Sequence, residues 1–237
     1  MSQAKERPIL FSGPMVRAIL DGRKAVTRRP IKHQPRTKGD IGSYGPGQPF
    51  IRHADPTKGN PECPYGRPGD RLWVRETWGV ISHDFDQHGN AIDWEPDRPA
   101  TAIREMRFGR GYYSGHVVYA ADGPCEWAGD EDGGGDPRSA WKPSIHMPRA
   151  ACRILLEITA VRVERLQTIS DEQAMAEGVR LYADHAALGD WYHVDGKDTY
   201  SADPRKSFEL LWSSINGADS WNSNPWVWVV EFKQVTP

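Results

Sequence analysis

The residues best suited to chemistry lie in one short run near the N-terminus, Gly22-Arg23-Lys24-Ala25-Val26-Thr27-Arg28-Arg29. The run carries a lysine amine, a threonine hydroxyl and three guanidinium groups. A solvated basic loop is the ordinary meaning of such a charge run. A ligand-reading segment is the alternative, because Arg and Lys side chains supply contacts to phosphates and carbonyls. The run alone leaves both interpretations open.

The segment before the run determines how its side chains are presented. Residues 12–20 are typical of a short helix that Ser12 caps, with Pro14 in the first turn. Gly22 follows at the place where a helix C-terminus favours a left-handed residue. The basic run therefore leaves a helix end as a turn or strand, and a few of its side chains can converge on one anion or polar ligand.

The remaining elements follow from periodicity and capping signals. Alternation predicts strands over residues 7–11, 72–76, 116–120, 152–166 and 226–232. The apolar phase of the fourth strand changes around Thr159-Ala160, which indicates a bulge or a sharp bend. Ser170 and Gln173 have the form of a capping box for a short helix that stops at Gly178.

A third helix opens at Asp203-Pro204, an N-cap followed by a proline at the first helical position. Its apolar stripe consists of Phe208, Leu211, Trp212 and Ile215.

Three stretches lack clear periodicity. Residues 30–69 predict a long loop, and residues 81–140 predict an acidic insertion that is flexible over residues 128–135. Residues 81–140 carry five Lys/Arg against twelve Asp/Glu, whereas residues 1–40 carry ten against three. Residues 141–149 either present alternate side chains to a ligand as an extended segment or form a proline-fixed connector packed on the core.

Composition excludes several classes of protein. A net charge of −2 excludes a wholly basic nucleic-acid coat. Three widely spaced cysteines argue against a disulfide framework and suit a reducing cytoplasm. No stretch reaches the roughly 20 apolar residues of a membrane span, and no signal peptide is evident. We expect neither a metal site nor a cofactor.

Two carboxylates stand out by position. Glu76 follows Leu72 and Val74 on one strand face, so it either marks the point where the strand leaves the core or is a buried acid with a partner. Glu177 lies on the last turn of its helix, where the macrodipole disfavours an anion. That cost suggests that another group holds Glu177.

Four segments in order resemble the ASCH domain, a branch of the PUA-like superfamily. They are the basic run of residues 22–29, the Gly-Asp turn and strand of residues 69–76, the short helix of residues 169–178 and the closing strand of residues 226–232. The chain is most similar to ASCH-containing proteins of phages and prophages, which share residues 8–12 and 144–149.

The resemblance implies an α+β fold, namely a small bent PUA-like β-barrel with flanking short helices. The whole chain, residues 1–237, would be a single domain with irregular insertions at about 30–66 and 84–140. A cleft between barrel and helices would receive a base or nucleoside.

The resemblance also implies site residues. Some small relatives are amidohydrolases that remove the acetyl group from N4-acetylcytidine, and their catalytic residues match Lys24, Thr27 and Glu177. Lys24 and Thr27 would be the chemical pair, with Arg28 and Arg29 positioning the ligand. The other expected substrate-binding residues are Arg23, Glu76, Trp78, Trp141, Ser144, His146, Arg149 and Trp226, in which the three tryptophans are candidates for stacking on a base.

Other functions remain open at this stage. One is a non-catalytic binder of RNA or modified DNA, whose binding would depend strongly on salt. Another is a phage assembly or host-interaction protein that uses the acidic insertion. We expect a nucleoside, RNA or modified nucleic acid as partner, no membrane, and a cytoplasmic location.

Overall fold

The computed structural model describes residues 4–125, 127, 140–182, 189–197 and 199–236. It is an α+β structure built mostly from strands with few helices. The chain forms two compact units, each made of separate segments. The first unit comprises Met1–Arg7, Ala18–Leu72 and Leu156–Thr236, and the second comprises Pro8–Arg17 and Trp73–Leu155. The single domain with insertions implied by the ASCH resemblance stays a prediction.

A five-stranded sheet has the order β1-β5-β11-β14-β2. Its strands are β1 (Glu6–Leu10), β2 (Val26–Pro30), β5 (Arg71–Arg75), β11 (Leu155–Arg165) and β14 (Trp226–Val235). Among the described residues no pairing joins β1 to β2, so the order is open and the expected closed barrel is not confirmed.

Strand β14 is the best-buried strand of the first unit. Trp226, Trp228, Val230 and Phe232 are buried, as their shared face predicts, and Val227 and Val229 are fully buried as well. Strand β14 lies inside the sheet, between β11 and β2, so both of its edges are paired, and residues on both of its faces are buried. In β11 the buried positions change from even-numbered residues, Leu156 and Ile158, to the odd-numbered Val161. This confirms the predicted change of phase.

The three α-helices found among the described residues begin and end close to the predicted signals. Helix α1 (Gly13–Leu20) is followed by Gly22 at φ 71°. Helix α2 (Asp171–Ala176) has the Ser170–Gln173 capping box. Helix α3 (Pro204–Asn216) has Asp203 as its N-cap and buries Phe208, Leu211 and Trp212. The prediction is wrong for Ile215, which is 54% exposed in the last turn of α3.

The loop predicted for residues 30–69 contains a hairpin. Strands β3 (Ile41–Ser43) and β4 (Pro49–Ile51) pair antiparallel, with Ile41 opposite Ile51. Strands this short leave no periodic pattern to detect. Two other two-stranded pairs, β7 (Asp84–Phe85) with β8 (Ala91–Ile92) and β12 (Arg180–Leu181) with β13 (Tyr192–His193), were missed for the same reason.

The acidic insertion holds much of the second unit's structure. Strands β6 (Trp78–Ile81), β9 (Thr101–Phe108) and β10 (Gly111–Tyr119) form a sheet in the order β6-β10-β9. Sequence patterning found only the buried end of β10, because half of the residues of β9 are exposed and half are polar. The predicted flexible stretch of residues 128–135 lies outside the described residues.

The segment of residues 141–149 is not extended. Ser144–His146 and Arg149–Ala151 are short 3₁₀ helices. Met147 between them is fully buried in a core cluster of the second unit that contains Trp78, Met106, Val117 and Tyr119. Among the described residues no helix has the length and apolar character required to cross a membrane.

Gly115 should be irreplaceable in β10. Its φ is 119°, and a Cβ at this position would lie 2.3 Å from the carbonyl oxygen of Ile81. Gly115→Ala should therefore lower the free energy of unfolding by at least about 2 kcal/mol, measured by urea denaturation. Gly111→Ala is the matched control, because Gly111 lies in the same strand with open space around it. Equal stability of the two variants would contradict this assignment.

Candidate functional site

Three of the four segments that resemble the ASCH domain meet around Ala25. The Ala25 N–H donates to the carbonyl of Ala176 at the end of α2, at 2.9 Å. The Ala25 carbonyl accepts from the N–H of Phe232 in β14, also at 2.9 Å. Strand β2 then pairs antiparallel with β14, with Thr27 opposite Val230 and Arg29 opposite Trp228. The backbone thus fixes the basic run against both the short helix and the terminal strand.

Lys24 and Glu177 form a buried ion pair at this junction. Lys24 Nζ lies 2.7 Å from Glu177 Oε2, and both side chains are at most 3% exposed. The ammonium also donates to the carbonyl oxygens of Glu177, at 2.9 Å, and Val26, at 2.8 Å. An ammonium has three donors, so these three acceptors are enough to satisfy it. This is the group that holds the helix-terminal carboxylate inferred from the sequence.

Arg28 completes the ion cluster. Its Nη1 donates to Glu177 Oε1 at 3.2 Å, and its Nη2 donates to Gln173 Oε1 at 2.6 Å. Nη2 also lies 3.6 Å from Glu164 Oε2. With Lys24 and Arg28 balanced by Glu177 and Glu164, the cluster is neutral, as burial of charge requires. We refer to Lys24, Arg28, Glu164, Gln173 and Glu177 as the ion cluster.

Sequence reasoning missed two members of the ion cluster. Gln173 was identified only as the capping residue, but its Oε1 accepts from both the Ser170 N–H, at 3.2 Å, and Arg28. The capping box therefore holds the arginine as well as the helix end. Glu164 on β11 had no distinguishing signal in the sequence, because only the sheet order brings β11 close to Arg28.

Burial lowers the pKa of Lys24 below its usual value, and the Glu177 carboxylate opposes this shift. The charges of Arg29 and Arg28 lower the pKa further. A glycine permits the close approach of lysine to the helix end. A Cβ on Gly178, where φ is 106°, would lie 3.2 Å from the Ala18 Cβ and 3.9 Å from the Lys24 Cβ.

The structure divides the basic run differently from the expected pairing of Lys24 with Thr27. Side chains alternate along a strand, so Thr27 and Arg29 lie on one face of β2, and Val26 and Arg28 lie on the other. Arg28 joins Lys24 and Glu177, and no hydrogen bond joins Lys24 to Thr27 within the described residues. Thr27 is 3% exposed, and in that same part of the chain no hydrogen bond of its hydroxyl occurs. The role of Lys24 and Thr27 as a chemical pair therefore stays a prediction.

The face of β2 that carries Thr27 is continuous with the tryptophans of β14. Residues directly opposite each other in an antiparallel pair share a face, so Thr27 lies beside Val230, and Arg29 beside Trp228. The Arg29 guanidinium also lies 6.0 Å from the ring centroid of Tyr65. This side of the sheet, which we call the Thr27 face, combines a hydroxyl, a guanidinium and aromatic rings, and Thr27, Trp228 and Val230 are buried on it.

Two other predicted residues of the first unit have partners at the edges of this region. Arg23 is half-buried and ion-paired to Asp21, at 2.8 Å, and to Asp195, at 3.1 Å. Trp226 is 8% exposed, and the Arg165 guanidinium lies over it, 4.5 Å from the ring centroid of Trp226.

Glu76 belongs to a separate ion network in the second unit. Arg153 donates to both of its carboxylate oxygens, at 3.0 and 2.9 Å, and also to Asp122, at 2.7 and 2.9 Å. Glu76 is 1% exposed, and burial raises the pKa of its carboxyl against the opposing effect of Arg153. It is thus the buried acid with a partner, the less common of the two alternatives, and the structure provides no free carboxylate for a ligand there.

The predicted stacking role of Trp78 lacks support. Its side chain is fully buried and packs edge-on against Phe108 at 5.0 Å, so this conformation offers no ring face to a base. Trp141 is half-buried and packs edge-on against Trp127 at 5.1 Å.

The remaining expected substrate-binding residues of the second unit lie on the two 3₁₀ helices. His146 is exposed, and Ser144 and Arg149 are half-buried. The structure leaves their binding roles as predictions.

Metal and thiol chemistry have no evident centre in the described ranges. No group of three His, Cys, Asp or Glu side chains there could hold a metal ion. Cys63 is buried, which raises the pKa of its thiol to about 11 and disfavours the reactive thiolate.

Comparison of the chain with known protein families, curated proteins and solved structures finds no match. The resemblance of the four sequence segments to the ASCH domain therefore stays a prediction.

Replacement of Glu177 should test the energetic role of the ion cluster. Glu177→Gln keeps the side-chain size but leaves Lys24 buried without an anionic partner. We expect the free energy of unfolding to fall by about 3–5 kcal/mol in urea denaturation. Glu172→Gln on the exposed side of the same helix is the control and should change the midpoint little. Similar effects of the two substitutions would contradict a cluster that stabilises the fold.

Proposed function

We propose that this protein is an ASCH-type protein that binds a nucleoside, or a base within RNA or modified DNA. One observation carries the proposal: the three segments of residues 22–29, 169–178 and 226–232, which carry the family resemblance, converge on the buried Lys24–Glu177 ion pair. Fold similarity alone does not assign function. The support comes from specific polar groups held in place at that convergence.

The Thr27 face supplies suitable groups for recognising a base. A threonine hydroxyl both donates and accepts hydrogen bonds, and an arginine donates in a fixed plane to a carbonyl or phosphate oxygen. Bases display donors and acceptors on their edges and stack on aromatic rings. The ion cluster has a different role in this proposal: it fixes the Ala25 turn from which β2 starts, so that the Thr27 face is preorganised.

We also propose that the five-stranded sheet is the core of a bent PUA-like barrel. The open order β1-β5-β11-β14-β2 and the change of apolar phase within β11 support this finer description of the α+β fold. Bends of this type are the usual way in which a sheet curves toward closure.

Thr27→Val should weaken nucleoside binding. The substitution keeps the shape of the side chain and removes its hydroxyl, so a single buried hydrogen bond to the ligand would be lost. We expect the Kd for cytidine or N4-acetylcytidine to rise about tenfold in isothermal titration calorimetry.

Thr159→Val is the matched control, because Thr159 is an exposed threonine on β11 of the same unit. Its affinity should equal that of the wild type. Binding that is equally strong in Thr27→Val, or a wild-type protein that binds neither nucleoside, would overturn the proposed function.

A second candidate function is hydrolysis of N4-acetylcytidine to cytidine and acetate. The lowered pKa of Lys24 favours it, because a neutral amine can take a proton from a threonine hydroxyl or a water that attacks the acetyl carbonyl. In the described arrangement the three donors of Lys24 point to carbonyl and carboxylate oxygens. Hydrolysis therefore requires that substrate binding move Lys24 from these acceptors toward Thr27.

The pH profile tests this candidate. Because the base must be neutral, kcat/KM should rise with pH and level off with an apparent pKa below 10.5, the ordinary value for lysine. Lys24→Met should abolish acetate release, followed by chromatography, while circular dichroism verifies that the variant is folded. Equal rates of acetate release by wild type and Lys24→Met would exclude a catalytic lysine.

A further inference from the structure

A cluster of three aromatic side chains begins a few residues after Glu177. The rings of Tyr182, His193 and Tyr200 form a mutual cluster with centroid distances of 5.4 Å between Tyr182 and His193, 4.7 Å between Tyr182 and Tyr200, and 5.3 Å between His193 and Tyr200. The last pair is stacked, with an interplanar angle of 28°. We call these three residues the aromatic cluster.

Backbone pairing holds the aromatic cluster in place. Strand β12 pairs with β13, and the Tyr182 N–H donates to the Trp191 carbonyl at 2.6 Å. Tyr192 and Ser201 exchange two hydrogen bonds, at 2.7 and 3.0 Å, which sets Tyr200 beside His193. The Ser207 hydroxyl of α3 donates to the Tyr192 carbonyl at 2.8 Å. These hydrogen bonds therefore fix the segment that carries the Tyr200 ring.

Arg180 borders the aromatic cluster. Its Nε donates to His193 Nε2 at 3.0 Å and lies 2.8 Å from Asp195 Oδ1. The Arg180 side chain is 48% exposed, so its remaining donors can reach a ligand. Asp195 in turn pairs with Arg23, the residue next to Lys24.

The exposure of the outer ring indicates a ligand. His193 is buried, but Tyr200 is 44% exposed, and its neighbours Trp191 and Leu181 are 39% and 49% exposed. A supported, half-exposed aromatic ring beside an arginine is the arrangement on which single-stranded nucleic acids stack their bases.

We propose that Tyr200, supported by His193 and Tyr182 and flanked by Arg180, is a stacking subsite for one base of a single-stranded nucleic acid. This inference rests on the proposed function and makes its ligand a polymer. Two residues lie between Glu177 and Arg180, so their Cα atoms are at most about 11 Å apart.

Fluorescence anisotropy with a labelled 12-nucleotide oligocytidine tests the subsite. Tyr200→Ala should weaken binding about 5- to 150-fold, the range for loss of one stacked base. Tyr200→Phe keeps the ring and should stay within about twofold of wild type. Tyr112→Ala is the control, because Tyr112 is a 70% exposed tyrosine of the second unit, and it should leave the affinity unchanged. Ribose and deoxyribose versions of the probe distinguish RNA from DNA as the preferred strand.

The dependence on salt separates stacking from charge. Tyr200→Ala should lower the affinity by the same factor at every salt concentration, because stacking involves no counterion release. Arg180→Gln should reduce the slope of log K against log salt by about 0.7, the contribution of one phosphate contact to a single strand. A change of slope in Tyr200→Ala without one in Arg180→Gln would contradict these roles.

The failure of this inference is distinguishable from failure of the proposed function. If wild type binds cytidine but neither oligonucleotide, or if Tyr200→Ala binds the oligonucleotide as well as Tyr200→Phe does, the stacking subsite is wrong and the base site stands. A protein partner that loses its binding only in Tyr200→Ala, without any loss of oligonucleotide affinity, would also overturn the subsite. If the wild-type protein does not bind cytidine, the proposed function itself is wrong.

Discussion

The arrangement of the candidate site depends on the buried ion pair between Lys24 and Glu177. Neither charge is stable inside a protein without the other, because the loss of hydration is offset only by close and saturated contacts. The ammonium meets two carbonyl oxygens and one carboxylate oxygen, and Arg28 takes the second carboxylate oxygen. The end of α2 and the start of β2 are therefore held in one geometry, and Gly178 provides the space for it.

The same saturation explains why the residues of the basic run have different roles. The Lys24 ammonium acts as a structural cation as long as it keeps its three acceptors. This holds whatever the intrinsic capacity of Lys24 for catalysis. Thr27, on the alternate face of the strand, is buried and lies outside the ion cluster. Side-chain alternation along β2 thus separates a supporting group, Lys24 and Arg28, from a candidate recognition group, Thr27 and Arg29. The position of the ion pair also links the binding and hydrolysis hypotheses, because the second requires Lys24 to leave it.

A similar principle governs the second unit. Glu76 and Asp122 both form ion pairs with Arg153, whose guanidinium lies 3.9 Å from the ring centroid of Tyr119. This is a structural use of an acid that the sequence marked as a candidate for ligand binding. In both units, a carboxylate in an unfavourable position indicated a buried arginine or lysine partner. A ligand was not needed to explain either one.

The sequence by itself determined the local features of this protein. Capping residues located α2 and α3, Gly22 and Gly178 located the ends of helices, and alternation located β5, β11 and β14. These are short-range signals, because they depend on hydrogen bonds and dihedral angles within a few residues. The position of the Glu177 carboxylate at a helix end also indicated, from the sequence alone, that another group must hold it.

Only the tertiary structure decided which residues meet. Gln173 and Glu164 join the ion cluster because the sheet order and the capping box bring them to Arg28, and no local pattern encodes that proximity. Strands β3 and β4 escaped prediction because three residues are too few to produce a period, and β9 escaped because half of its residues are exposed. Trp78 lost its expected stacking role for the opposite reason, since the core of the second unit encloses it. Burial and long-range pairing are properties of the folded chain, and they separate the residues that support the site from those available to a ligand.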